Sequence, residues 1–177
     1  MSDLTLRLAV EADLPALREL MARSIGELQT RFLDAAQLAA SFEVMGLDTQ
    51  LVADRTYFVV EAGEALAGCG GWSRRATLFG GDHSAGRDAA LLDPATDAAR
   101  IRAMYTSPDF TRRGVGRLIL AACEAAARAE GFSRAEMAAT LAGEPLYRAC
   151  GYEVIEPFES LTSTGVAVPL KRMGKAI

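Results

Sequence analysis

The segment Ile101-Arg102-Ala103-Met104-Tyr105-Thr106-Ser107-Pro108-Asp109-Phe110-Thr111-Arg112-Arg113-Gly114-Val115-Gly116-Arg117-Leu118-Ile119-Leu120 decides how this chain is read. Residues 101–106 have strand character, and Ser107-Pro108-Asp109-Phe110 is a turn by its residue chemistry. A helix follows, with Val115, Leu118, Ile119, Ala122, Ala125, Ala126 and Ala129 as its expected apolar stripe and Gly131 closing its C-terminus. Gly114 and Gly116 let the backbone turn tightly just where the unpaired N–H groups of a helix start face outward. Those amides and the helix dipole attract an anion, and Arg112, Arg113 and Arg117 add full charges around them. Pyrophosphate is the expected guest. A Walker loop would need Gly-Lys-Ser/Thr after four spacer residues, and a dinucleotide turn would need a third glycine where Ile119 stands, so neither motif is met.

Working outward, Leu4, Leu6 and Leu8 alternate as a first strand, and Leu14, Leu17, Leu20 and Met21 follow at helical spacing. A second helix is expected from Asp34 to before Gly46, with Leu38 and Phe42 inward; residues 25–33 are ambiguous. Tyr57-Phe58-Val59-Val60, the turn Ala62-Gly63-Glu64 and residues 66–72 read as an antiparallel hairpin. Gly68, Gly70 and Gly71 in its second arm imply either a bulge or a close backbone approach. Residues 74–99 read as a long loop with irregular structure. After the basic turn and its helix come a strand at 134–139, a short helix opened by Pro145 and closed by Gly151, and strands near 152–155 and 166–171. The strand-helix-strand unit needs a parallel crossover beside the antiparallel hairpin, so an α/β fold with a mixed sheet is expected.

Length and composition bound the rest. A chain of 177 residues, half of them hydrophobic and 24% charged, suits one soluble domain spanning 1–177. A net charge of -4 argues against nucleic acid as the main partner. Cys69, Cys123 and Cys150 show no metal-ligand spacing and are expected to be reduced core residues, with no metal bound. Neither a leader-like start nor a long apolar window appears, so a cytoplasmic protein without a membrane partner is expected.

The 101–120 stretch resembles the acetyl-CoA-binding motif of GCN5-related N-acetyltransferases (GNAT); residues 4–21 match loosely and 139–152 well. Thr111 stands where that family prefers Gln or Arg. The resemblance implies a mixed, mostly antiparallel sheet of six to seven strands with about four helices, splayed at a central parallel strand pair. It implies acetyl-CoA as cosubstrate, its pantetheine arm pairing with the backbone of Met104, Tyr105 and Thr106 and its pyrophosphate held by Arg112, Arg113, Gly114, Val115, Gly116 and Arg117. The acceptor is then an amine of a small molecule or peptide, and the terminal strands are the candidate contacts of a homodimer.

The family position of the acid that meets the departing thiolate falls on Tyr147, within Glu144-Pro145-Leu146-Tyr147-Arg148. A phenol of pKa ~10 facing a thiol of ~8.5 would give up its proton uphill by ~2 kcal/mol, which favours hydrogen-bond stabilisation over complete transfer. A main-chain amide at Met104 or a neighbour is the candidate for polarising the carbonyl. The general base is open among a water chain, His83, Glu61, Glu136 and Glu144, and Trp72, Arg74 and Arg75 are candidates for the acceptor pocket. Direct attack on the thioester is expected, since no cysteine has an activating histidine nearby in sequence. The competing expectation is a non-catalytic acyl-CoA-binding or regulatory module of the same fold.

Overall fold

The computed structural model describes residues 3–177. Seven strands, β1 (Leu4–Leu8), β2 (Tyr57–Ala62), β3 (Ala65–Ser73), β4 (Ala99–Thr106), β5 (Arg134–Thr140), β6 (Glu153–Leu161) and β7 (Ala167–Ala176), form one sheet in the order β1-β2-β3-β4-β5-β7-β6. Every neighbouring pair is antiparallel except β4 and β5. Five α-helices accompany them among the described residues: α1 (Leu14–Leu28), α2 (Ala35–Val44), α3 (Thr49–Ala53), α4 (Val115–Ala129) and α5 (Glu144–Ala149). The additional helix, α3, is a five-residue segment capped by Asp48 and too short to leave a periodic signal.

The sheet splays because β4 and β5 pair only at Ala99 with Ala135 and Arg100 with Glu136, although both strands continue. A bulge in β4 accompanies the divergence. Ala103 sits at φ +50°, its carbonyl accepts from the Tyr57 hydroxyl at 2.7 Å, and the register against β3 shifts between Cys69 and Gly71. An extra residue on one strand bends it and raises its twist, which swings the end of β4 away from β5.

Two apolar cores lie on opposite faces of the sheet. Helix α4 covers one, with Trp72, Ile101, Val115, Ile119 and Met137; α1 covers the other, with Leu17, Leu20, Tyr57, Val59 and Tyr105. The glycines of β3 serve both purposes expected of them. A Cβ on Gly68 would overlap Val115 Cγ1, and one on Gly70 would overlap Met104 Sδ and lie 2.9 Å from Ile119 Cγ2, so α4 rests directly on the strand. The same segment opposes the β4 bulge.

Three expectations need correction. Helix α2 turns Ala40, Ser41 and Val44 inward while Phe42 is exposed, because its capping box, Asp34 with Gln37, sets the helix start and the small residues fit closest. The buried face of α4 is Val115, Ile119, Leu120, Cys123 and Ala127, with Leu118, Ala125 and Ala129 outward. Val115 and Ile119 are shared with the expected stripe, but leucines and alanines flank them on both sides, and contact with the β3 glycines selects the line that is buried. Finally, β6 and β7 run several residues beyond the expected segments, since their mutual pairing extends from Glu153–Gly174 to Leu161–Ala167.

Candidate active site

The divergence of β4 and β5 opens a cavity of about 720 Å³, within the range of small-molecule and cofactor sites. It is lined from the α4 face by Val115, Ile119, Leu146 and Tyr147 and from the α1 face by Ile25 and Met45, so it runs through the sheet. Met104, Tyr105 and Thr106 form its β4 edge. Tyr105 is anchored on the far face, where its hydroxyl accepts from the Gly46 N–H at 2.9 Å.

At one end stands the start of α4. Arg112 and Gly114 adopt positive φ, +63° and +84°, so the chain turns back on itself before the helix. Among the described residues no turn or capping hydrogen bond uses the amides of 112–117, and the first helical bond is Leu118 N–H to the Gly114 carbonyl at 3.0 Å. Open space surrounds the position a Gly114 Cβ would take. Gly116 is glycine for a packing reason, since its Cβ would lie 2.6 Å from Leu146 Cδ2. Arg112 and Arg117 line this end, whereas Arg113 lies over the Phe110 ring at 5.0 Å and is not on the wall. The cradle suits a pyrophosphate: free amides at a helix start, two cations and room for close approach.

Tyr147 stands on α5, with Pro145 in the first turn and Gly143 as N-cap. A Cβ on Gly143 would lie 2.9 Å from Tyr147 Cε2, so the absence of a side chain there lets the ring settle against the backbone. The helix is tied down by Glu144, which accepts from Lys171 Nζ of β7 at 2.6 Å and from Arg148 Nε at 2.8 Å. Lys171 and then Arg148 hold the Glu144 carboxyl below the usual range. Burial, followed by the neighbouring Tyr105, Cys123 and Cys150, pushes the Tyr147 phenol well above its ordinary value. It is therefore a protonated donor throughout the working range of an enzyme. Burial also pushes the Cys69 thiol, at the cavity wall, up to about 12, which removes it as a thiolate nucleophile.

None of the candidate bases reaches the cavity wall. Glu61 is paired with Arg7, Glu136 with Arg100 and Arg172, Glu144 as above, and His83 Nε2 lies 2.7 Å from the Phe42 carbonyl. Trp72 packs edge-on against Phe132, with Arg74 over its ring and paired to Glu130, while Arg75 pairs with Asp54. That trio belongs to the core and its rim and does not line the cavity.

Sequence reasoning missed what builds the cavity wall on the α1 side. Leu78, Phe79 and Gly80 of the long loop line the cavity together with Leu28, Phe32 and Met45. Arg102 holds the loop. Fully buried, it donates to Asp48 Oδ2 at 2.9 Å, the Gly80 carbonyl at 2.6 Å and the Thr77 carbonyl at 3.2 Å. Burial lowers its pKa despite the pairing with Asp48. A charged residue at an inward strand position was the signal available.

Comparison with known proteins agrees with this architecture. The sequence profile of the Acetyltransferase (GNAT) family matches residues 17–152. No curated protein matches the chain. Among solved structures, a GCN5-related N-acetyltransferase from Rhodopseudomonas palustris superposes with a TM-score of 0.72 at 18% identity, over 100% of this chain and 98% of that one. The PaiA N-acetyltransferase from Thermoplasma acidophilum, in complex with coenzyme A, gives 0.66 at 12% over 99% of each chain. The YncA protein from Salmonella typhimurium, with its cofactor acetyl-CoA, gives 0.65 at 17% over 99% of this chain and 94% of that one. At such identities the likeness establishes the fold.

Proposed function

We propose, from the premise that the chain belongs to the Acetyltransferase (GNAT) family, that residues 1–177 form one domain catalysing direct acetyl transfer from acetyl-CoA to an amine. The observation that carries this reading is one continuous cavity joining an anion cradle at α4 to a buried phenol at α5. Arg112, Arg117 and the amides of Gly114, Val115 and Gly116 would hold the pyrophosphate. Arg113 acts at longer range as a surface charge beside them. The main chain of Met104, Tyr105 and Thr106 borders the splayed cleft and would take the pantetheine arm. Acetyl-CoA, when bound, supplies the activated thioester.

Tyr147 is the general acid in this reading, and its raised pKa makes hydrogen-bond donation to the developing thiolate its main contribution. The reaction balances simply: nitrogen takes the acetyl carbon, the carbon–sulfur bond breaks, and one proton passes from nitrogen to sulfur. No cluster of three or more His, Cys, Asp or Glu side chains placed to hold a metal occurs among the described residues.

Calorimetric titration with acetyl-CoA tests the cradle, repeated on Gly114→Glu. That substitution strains a φ of +84° and places a negative charge where the pyrophosphate would sit. Binding by the parent and at least a hundredfold weaker binding by the folded variant are expected. Equal binding by both would remove the anion site from α4.

A further inference from the structure

The wall of the cavity on the α1 side constrains the acceptor. Ile25, Leu28, Phe32, Met45 and Phe79 make it apolar. Gln29, one of its polar groups, is turned to Met45, whose sulfur accepts from Gln29 Nε2 at 3.2 Å. Among the described residues no carboxylate and no histidine lines any part of the cavity, and its only charged side chains are Arg102, Arg112 and Arg117. Arg112 and Arg117 belong to the cradle. Arg102 is committed to Asp48 and two carbonyls. An ammonium ion brought here would lose its water and meet positive charge only, whereas a carboxylate would find a guanidinium already engaged.

We propose that the acceptor is an apolar compound whose amine arrives uncharged: a weakly basic α-amine, of pKa at or below ~8, next to a carbonyl and without a free carboxylate. A lysine side chain, a polyamine or an aminoglycoside is the wrong chemistry for this wall. The proposal rests on the acetyl-transfer reading above. It also explains how the site works without a base. A neutral amine carries one surplus proton after attack, and the thiolate needs one, so nitrogen supplies sulfur by way of Tyr147 and water with nothing left over.

The test compares amines that share a benzyl group and differ in charge: phenylalaninamide, phenethylamine and phenylalanine, with spermidine as the polycation. At pH 7.5 an amine of pKa ~7.9 is about 28% neutral and one of ~10.4 about 0.1%, a ratio of about 200. The weaker nucleophilicity of the less basic amine offsets part of this, so kcat/KM for phenylalaninamide should exceed that for phenethylamine at least tenfold. The gap should narrow about twentyfold by pH 9.5, as the alkyl amine loses its proton. Calorimetry on the protein–CoA complex should show phenylalaninamide binding at least tenfold more tightly at pH 9 than at pH 6. Leu28→Glu should raise the preference for spermidine over phenylalaninamide at least tenfold while acetyl-CoA affinity stays within threefold. Equal or better use of spermidine or phenethylamine at pH 7.5, or of phenylalanine relative to its amide, would overturn the acceptor class alone. Failure of the parent protein to bind acetyl-CoA would overturn the acetyl-transfer reading beneath it.

Discussion

Replacing Asp48 by Asn isolates the ion pair that holds the 77–80 segment of the long loop. The carboxylate is buried, accepting from Arg102 Nη2 at 2.9 Å on one oxygen and from Arg87 Nη2 at 2.8 Å on the other, with the Gln50 N–H capping α3 at 3.1 Å. Asparagine keeps the volume and an oxygen for the cap but leaves the Arg102 guanidinium, 2% exposed, without a counter-charge. Removing one partner of a buried ion pair costs ~3–5 kcal/mol, because the remaining charge stays desolvated. With a urea m-value of about 2 kcal/mol/M, the unfolding midpoint should fall by about 1.5–2.5 M. Arg102→Met should cost less, since Arg87 still neutralises Asp48. The double variant should be more stable than the two losses predict by at least ~1 kcal/mol. Because Arg102 grips the Gly80 carbonyl, Asp48→Asn should also raise the acceptor KM while acetyl-CoA affinity holds. An Asp48→Asn protein within ~1 kcal/mol of the parent in urea titration would refute the argument that this pair is held in a dry interior.

Four further outcomes follow from the same structure. Tyr147→Phe should lower kcat by ~10²–10⁴ while the Kd for acetyl-CoA, read by calorimetry, changes less than threefold; unchanged turnover would leave the phenol a packing residue. The parent pH–rate profile should rise to a plateau and show no basic limb from Tyr147, whose pKa is raised, so a fall in rate near pH 9 would contradict its assignment. Asp54 is held below its ordinary pKa, first by the hydrogen bond from Arg75, so its stabilisation is complete above the unfolded value of ~3.9 and is lost as pH falls through the lower folded value. Asp54→Asn should therefore flatten the stability loss below pH 4 in thermal melts; an unaltered acid limb would count against the pair. Gly70→Ala should destabilise by ~1–3 kcal/mol, because its Cβ collides with Met104 and Ile119, and a neutral thermal shift would show that α4 can move away from β3.

Local chemistry carried much of this protein into view. The proline turn, the two glycines and the arginines around them mark a helix start with free amides and nearby cations, and they do so because backbone donors and φ preferences are properties of a few adjacent residues. The hairpin at 57–73 and the place of Tyr147 in a proline-opened helix were legible for the same reason. Only the tertiary structure decided how α4 is rotated within its apolar side, since Leu118, Leu120 and several alanines flank Val115 and Ile119 and contact with the β3 glycines selects the buried line. Only it separated Arg113 from Arg112 and Arg117, and it turned Glu61, Glu136, Glu144 and His83 away from the cavity into bonds with partners distant in sequence. The α1 side of the cavity was beyond reach for that physical reason: residues 78–80 are held at its wall by the buried Arg102, which pairs with Asp48, 54 positions away in the chain, residues 25–32 and 45 reach it from other elements, and no periodicity in one segment reports a contact made by another.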